Sequence, residues 1–115
     1  MTLTCPPHEP AHAVPSAWIV RWGARVPAGA AVLDVACGSG RHARWFAARG
    51  HVVDAVDRDA EALAALQGER NVRPLCADIE NGPWPYAGGR YGGVVVANYL
   101  HRPLLPLLVE AVAPG

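Results

Sequence analysis

Two glycines and one aspartate stand where a loop of backbone can hold a small polar ligand. Gly38 and Gly40 come directly after a short apolar run, and Asp57 lies near the end of the next apolar run. Glycines let a backbone turn tightly and approach a ligand closely. A carboxylate placed about 20 residues after such a loop can accept hydrogen bonds from both hydroxyls of a ribose. The spacing therefore predicts a site for an adenosine-type cofactor.

An acidic side chain, Asp34, interrupts the apolar run that precedes the glycines. Because burying an unpaired carboxylate is costly, this position predicts a partner. A pyrophosphate would be repelled there, whereas a ligand that carries an ammonium and a sulfonium suits a carboxylate. Gly38, Gly40 and Ala43 nevertheless satisfy the dinucleotide pattern G-x-G-x-x-A. An NAD(P)-binding oxidoreductase domain therefore stays open as an alternative.

Strands and helices must position these residues. The apolar runs predict strands over residues 31–36, 51–57, 72–77 and 93–97. Helices are expected around and between them, over residues 16–25, 42–49, 59–66 and 106–112, with Ser16 and Asp59 as N-caps. Repeats of strand, helix and strand predict an α/β fold, a Rossmann-like three-layer sandwich with a mostly parallel sheet. Pro74 removes a backbone donor from the third strand, which predicts that this strand lies at the sheet edge.

The order of these features resembles the class I S-adenosylmethionine-dependent methyltransferase family. The first motif of that family is acidic-x-Gly-x-Gly-x-Gly. Here its positions hold Asp34, Ala36, Gly38 and Gly40, so Ala36 replaces the first glycine. The resemblance covers residues 31–115. It implies S-adenosyl-L-methionine as the cofactor, methyl transfer as the reaction and 3-2-1-4 as the order of the four strands.

The resemblance also implies roles for residues farther along the chain. Asp78, after the third strand, is expected to bind the adenine amino group, and Ile79 is expected to pack on the adenine ring. Asn98, Tyr99 and His101 follow the fourth strand, at the carboxyl end of the sheet, where ligands bind in open α/β folds. We expect Asn98 to contact the cofactor, Tyr99 to bind the methyl acceptor and His101 to act as a general base.

Composition limits the class of partner. The 115 residues carry ten basic and ten acidic side chains and no basic stripe, so a small-molecule acceptor is favoured over nucleic acid. No apolar run reaches the roughly 20 residues that cross a membrane, and no signal-peptide core is present. Three widely spaced cysteines agree with a reducing compartment. A cytoplasmic location without membrane contact is therefore expected.

The chain is short for a fold of this kind. Residues 1–15 are predicted to be irregular, and residues 16–115 are predicted to form a cofactor-binding domain truncated before a fifth strand. Cys5, His8 and His12 do not supply the four ligands of structural zinc, so no metal site is expected. An apolar fourth strand with one unpaired edge predicts self-association or pairing with a separate C-terminal half. A non-catalytic remnant or an interaction module is the second alternative function.

Overall fold

The computed structural model describes residues 2–4, 16–96 and 105–112. Its strands are β1 (Thr2–Thr4), β2 (Val32–Val35), β3 (Val53–Asp57), β4 (Val72–Cys76) and β5 (Gly93–Val96). Its helices are α1 (Ala17–Gly23), α2 (Arg41–Ala48), α3 (Ala60–Leu63) and α4 (Leu105–Ala111), and a 3-10 turn (Ala64–Leu66) follows α3. The strands and helices predicted from the apolar runs are confirmed, and their bounds differ by about one or two residues.

The strands form one parallel sheet. Within the described residues its order is β1-β5-β2-β3-β4. The four strands predicted from the sequence therefore lie in the expected order 3-2-1-4, which confirms the α/β, Rossmann-like fold. Pro74 lies in β4, the edge strand next to β3, so its missing N–H interrupts no ladder on the outer side.

A short N-terminal strand, β1, extends the sheet beyond the predicted four. Thr2, Leu3 and Thr4 pair in parallel with residues 94–96 of β5. The prediction of an irregular segment over residues 1–15 is therefore wrong for residues 2–4, and the expectation of an unpaired edge on β5 is wrong as well. A three-residue strand carries no period in sequence, because its partner lies about 90 residues away and only the fold brings it close. Residues 5–15 lie outside the described residues.

Side chains cover the sheet on both faces. The first core, under α1, α2 and α3, contains Ile19, Val32, Phe46, Val53, Leu63, Leu66 and Val95. The second core, under α4 and the segment 84–91, contains Leu33, Val35, Val56, Ile79, Tyr91, Val94 and Leu108. Every residue of β2 and β5 is buried, as expected for parallel strands that are packed on both faces.

The N-cap residues of α1 and α3 make different contacts. Asp59 Oδ1 accepts hydrogen bonds from the N–H groups of Glu61 and Ala62, as its cap role predicted. Ser16 occupies the N-cap position of α1, but its side chain makes no capping hydrogen bond. Its backbone N–H instead donates to Nε2 of His42, at 3.1 Å. The start of α1 is therefore fixed to the first turn of α2.

Candidate cofactor site

The loop between β2 and α2 lies at the carboxyl end of the sheet, at its centre. Ala36, Gly38 and Gly40 have φ angles of +55°, +58° and +87°, in the left-handed region that favours glycine. A Cβ at Gly38 would meet nothing within 4 Å, so the backbone angle alone favours glycine there. A Cβ at Gly40 would overlap the side chain of Leu66. Gly40 therefore lets the start of α2 approach the turn that follows α3.

Ala36, which stands where the family motif has a glycine, adopts a left-handed backbone conformation. An L-residue in the left-handed region costs about 1–2 kcal/mol, and the φ of Ala36 is +55°. Its methyl group packs against the second core. The loop thus keeps a glycine-like path at this position while holding some backbone strain.

Asp57 fixes the loop to the end of β3. Its Oδ2 accepts the Gly38 N–H at 2.8 Å, and its Oδ1 accepts the Asp59 N–H at 2.9 Å. The sequence predicts that Asp57 binds a ribose, and the structure adds these two hydrogen bonds to the backbone. An ionised carboxylate has about four acceptor sites, so two backbone bonds leave capacity for ligand hydroxyls. The side chain is half-buried and faces a cavity.

This cavity brings several predicted site residues together. Its volume is about 200 Å³. Its lining residues are Ala36, Val56, Asp57, Arg58, Ala77, Asp78, Ile79 and Glu80. Sites for whole small-molecule ligands usually measure about 300–1,000 Å³. The cavity is therefore of a size for one part of a cofactor, such as a base with its sugar.

Asp78 and Ile79 form the far wall of the cavity. Asp78 is exposed, and its Oδ1 accepts the N–H groups of Glu80 and Asn81 at 3.1 and 3.2 Å. Its Oδ2 accepts the Asn81 side-chain amide at 3.2 Å, and this bond is the main reason that the pKa of Asp78 lies below its usual value. Ile79 is 8% exposed and packs in the second core. The turn holds an acidic and an apolar side chain at the cavity wall.

Asp34 is buried beneath the loop. It is 1% exposed, and its carboxyl accepts a hydrogen bond from the N–H of Ala43 in the first turn of α2. Because the N-cap of α2 is Gly40, which has no side chain, Asp34 supplies a capping oxygen from β2. Its Oδ2 has no hydrogen-bond partner among the described residues. Burial, helped by the charge of Asp57, raises the pKa of Asp34 to about 7.

Three further residues at the site were not found from the sequence. Arg58 lines the cavity, and its charge helps to lower the pKa of Asp78. Burial raises the pKa of the Cys37 thiol, and the charges of Asp34 and Asp57 add to that effect, so this cysteine is a protonated thiol. Burial lowers the pKa of His42 to about 4, which keeps its ring neutral as an acceptor for Ser16.

No pattern in the sequence distinguishes these three residues from ordinary helix and loop residues. The predicted Asn98, Tyr99 and His101 lie outside the described residues. The structure therefore brings together seven of the predicted site residues. These are Asp34, Ala36, Gly38, Gly40, Asp57, Asp78 and Ile79.

A second cavity, of about 550 Å³, lies between the segment 84–90 and α4. The rings of Trp84 and Tyr86 line it and meet edge to face, 5.6 Å apart between centroids.

Within the described ranges, no helix is long and apolar enough to cross a membrane. In the same part of the chain, no group of three His, Cys, Asp or Glu side chains is placed to hold a metal ion.

Three solved structures that are similar to this chain are each about twice its length or longer. A glycopeptide N-methyltransferase complexed with sinefungin is 21% identical, with a TM-score of 0.70, over 99% of this chain and 52% of that one. An S-adenosylmethionine-dependent methyltransferase from Mesorhizobium loti is 20% identical, with a TM-score of 0.65, over 91% of this chain and 50% of that one. Coclaurine N-methyltransferase bound to N-methylheliamine and S-adenosylhomocysteine is 22% identical, with a TM-score of 0.58, over 81% of this chain and 29% of that one.

These likenesses confirm the fold, and the chain spans about half the length of such proteins or less. No curated protein matches the chain in sequence. Residues 32–113, however, match the methyltransferase domain family, and this stretch runs from the start of β2 to the end of the described chain. By that match, the chain belongs to the methyltransferase domain family.

Proposed function

We propose that this chain forms the cofactor-binding part of an S-adenosylmethionine-dependent methyltransferase that acts on a small molecule. The observation that carries the proposal is the cavity at the carboxyl end of β3. It joins the left-handed loop at Ala36 to the Asp57 carboxylate on one side, and to Asp78 and Ile79 on the other. Family membership agrees with this assignment.

Each wall of the cavity fits one part of the cofactor. In this proposal Asp57 accepts the ribose hydroxyls and Asp78 accepts the adenine amino group, and both carboxylates line the cavity. Ile79 offers an apolar surface for the adenine ring. The loop of Gly38 and Gly40 is proposed to approach the methionine part, because glycines in the left-handed region let a backbone pass close to a ligand.

Methyl transfer needs mainly alignment. The bound cofactor supplies an activated methyl group on a sulfonium, and the protein must hold an acceptor in line with it. Asn98, Tyr99 and His101 follow β5 in the sequence, and ligands bind in open α/β folds at the carboxyl ends of the strands. In this proposal Asn98 contacts the cofactor, Tyr99 binds the acceptor and His101 removes its proton where one must leave.

The net charge of the chain and the similar solved structures support a small-molecule acceptor in this proposal. The formal net charge is zero, which favours a small molecule over a nucleic acid. The similar solved proteins include enzymes for coclaurine and for a glycopeptide. A cytoplasmic location is part of the same proposal, and the three widely spaced cysteines support it because they agree with a reducing compartment.

Isothermal titration calorimetry with S-adenosylhomocysteine and with NAD tests this function. We expect heat from S-adenosylhomocysteine and none from NAD, and the opposite pattern would favour the oxidoreductase alternative. Replacing Asp57 by alanine should weaken S-adenosylhomocysteine binding at least tenfold, since hydrogen bonds to a charged group contribute about 1.5–3 kcal/mol each. Glu61→Gln, which removes an exposed carboxylate outside the cavity, is the control. Binding by Asp57→Ala as tight as that of the control would contradict the ribose role.

A further inference from the structure

Asp34 is a carboxyl group with an unsatisfied oxygen in the middle of the sheet. In β2 it lies between Ala55 of β3 and Val95 of β5, both of which are apolar and buried. The Ala43 N–H bonds to the carboxyl, and Oδ2 has no partner in the part of the chain that the structure describes. A structural N-cap needs one acceptor oxygen, so capping α2 does not account for the second oxygen.

The groups that face Asp34 stabilise its charge less than burial and Asp57 destabilise it. From α2, Arg41 favours the ionised form, and His42 in the same turn is neutral. From the loop and the end of β3, the Cys37 thiol is uncharged and the Asp57 carboxylate opposes ionisation. Burial outweighs the opposing contributions, so the pKa of Asp34 rises to about 7.

Asp34 nevertheless lies within electrostatic reach of the cavity. Asp57 lines the cavity, and its charge already acts on Asp34. A positive charge brought to the same loop will act on Asp34 with the opposite sign. Because the surroundings of Asp34 are apolar, this attraction is little screened by water.

We propose that Asp34 carries a proton while the site is empty and releases it when a cationic ligand binds, so that it selects the positively charged methyl donor over the product. This inference rests on the proposed function. The step balances simply: the O–H bond of the Asp34 carboxyl breaks, the proton passes to the buffer, and the carboxylate keeps the electron pair. The donor carries a sulfonium, whereas the product has a neutral sulfur and no net charge.

Calorimetry in two buffers of different ionisation enthalpy measures the released protons. With a group of pKa about 7 in the empty protein, binding at pH 6.5 should release about three-quarters of a proton, and binding at pH 8 about a tenth. S-adenosylmethionine should give this release. Sinefungin, which has an amine in place of the methylated sulfur, should give it as well. S-adenosylhomocysteine should release less than half as much.

Variants separate Asp34 from other acidic groups. Asp34→Asn should abolish the release and bring the affinities for donor and product closer together, whereas Glu61→Gln should leave both unchanged. In the unsubstituted protein, the affinity for S-adenosylmethionine should also rise about fivefold from pH 6 to pH 7. The proton release and the pH dependence of affinity are both measured on the unsubstituted protein, so the inference can be tested even if Asp34→Asn does not fold.

The outcomes distinguish this inference from the proposed function. Tight binding of S-adenosylmethionine without proton release, or equal release with S-adenosylhomocysteine, would overturn the role of Asp34 and leave the function standing. Proton release that persists in Asp34→Asn would assign it to another group and overturn the inference too. A failure of both ligands to bind would reject the function and the inference together.

Discussion

Replacing Asp34 by asparagine should change how the stability of the unliganded protein depends on pH. In the unfolded chain an aspartate ionises near its ordinary pKa of 3.8, whereas burial raises the pKa of the folded Asp34 to about 7. Between these values the folded state binds more protons than the unfolded state. The contribution of Asp34 to stability is therefore complete below pH 3.8 and is lost as the pH rises to 7.

The magnitude follows from the size of this shift. One pKa unit corresponds to 1.36 kcal/mol, so the whole loss amounts to about 4 kcal/mol, of which about 3 kcal/mol falls between pH 5 and pH 8. Asparagine does not ionise, and its amide oxygen can still accept the N–H of Ala43. The free energy of unfolding of Asp34→Asn, relative to the parent, should therefore rise by about 3 kcal/mol over this interval.

Urea denaturation of both proteins at pH 5 and at pH 8 measures this difference directly. Other carboxyl groups titrate in both proteins, so their contributions cancel when one curve is subtracted from the other. Glu61→Gln serves as a control for the loss of an exposed acidic group and should follow the parent at both pH values. If Asp34→Asn also followed the parent, the folded carboxyl would not be protonated near neutral pH, and the reasoning from burial would fail.

Other parts of the structure yield three more predictions. Gly38→Val should reduce S-adenosylhomocysteine binding at least tenfold and leave the circular dichroism spectrum similar, because a β-branched residue disfavours a φ of +58° and would occupy the open space over the loop where the ligand is proposed to bind. Binding that survived would show that the loop does not hold the cofactor. His42 accepts the Ser16 N–H only when neutral, so its contribution to stability should fall by up to about 3 kcal/mol as the pH drops from 6.5 to 4, because the unfolded chain binds the extra proton. In urea titrations the free energy of unfolding of His42→Gln, relative to the parent, should therefore rise by about this amount over the same interval, since Asp34 contributes equally to both proteins. Tyr91→Phe removes the 2.6 Å bond from the hydroxyl to Asp54 and should cost about 1.5–3 kcal/mol of unfolding free energy, with ligand affinity unchanged by calorimetry.

Features determined by near neighbours in the chain could be predicted from the sequence. The buried strands β2 and β5 are continuous apolar runs, and Asp59 caps α3 through N–H groups two and three residues away. Pro74 marked the edge strand because a missing N–H is tolerated only there. In each case the physical cause lies within the segment itself, so the segment alone reveals it.

Features that depend on distant contacts could not be predicted. The sequence gives no sign that Thr2–Thr4 would pair with β5. It also gives no sign that the Ser16 side chain would make no cap, or that the Ser16 N–H would donate to the ring of His42. The bond between Tyr91 and Asp54 spans 37 residues and likewise leaves no pattern. For Asp57 the motif predicted the ligand role, whereas its bond to the Gly38 N–H depends on the path of the folded loop.

Two unfavourable features of the fold lie close together at the carboxyl end of β2. There the chain places an alanine in the left-handed region, and just before it a buried carboxyl with an unsatisfied oxygen. Glycine at Ala36 would remove the backbone strain and lose one methyl contact in the second core. An apolar residue at Asp34 would remove the buried carboxyl and lose its bond to the Ala43 N–H. A ligand that binds only the folded state returns free energy to it. The position of these two costs beside the cavity therefore agrees with the ligand-binding role proposed for this end of the sheet.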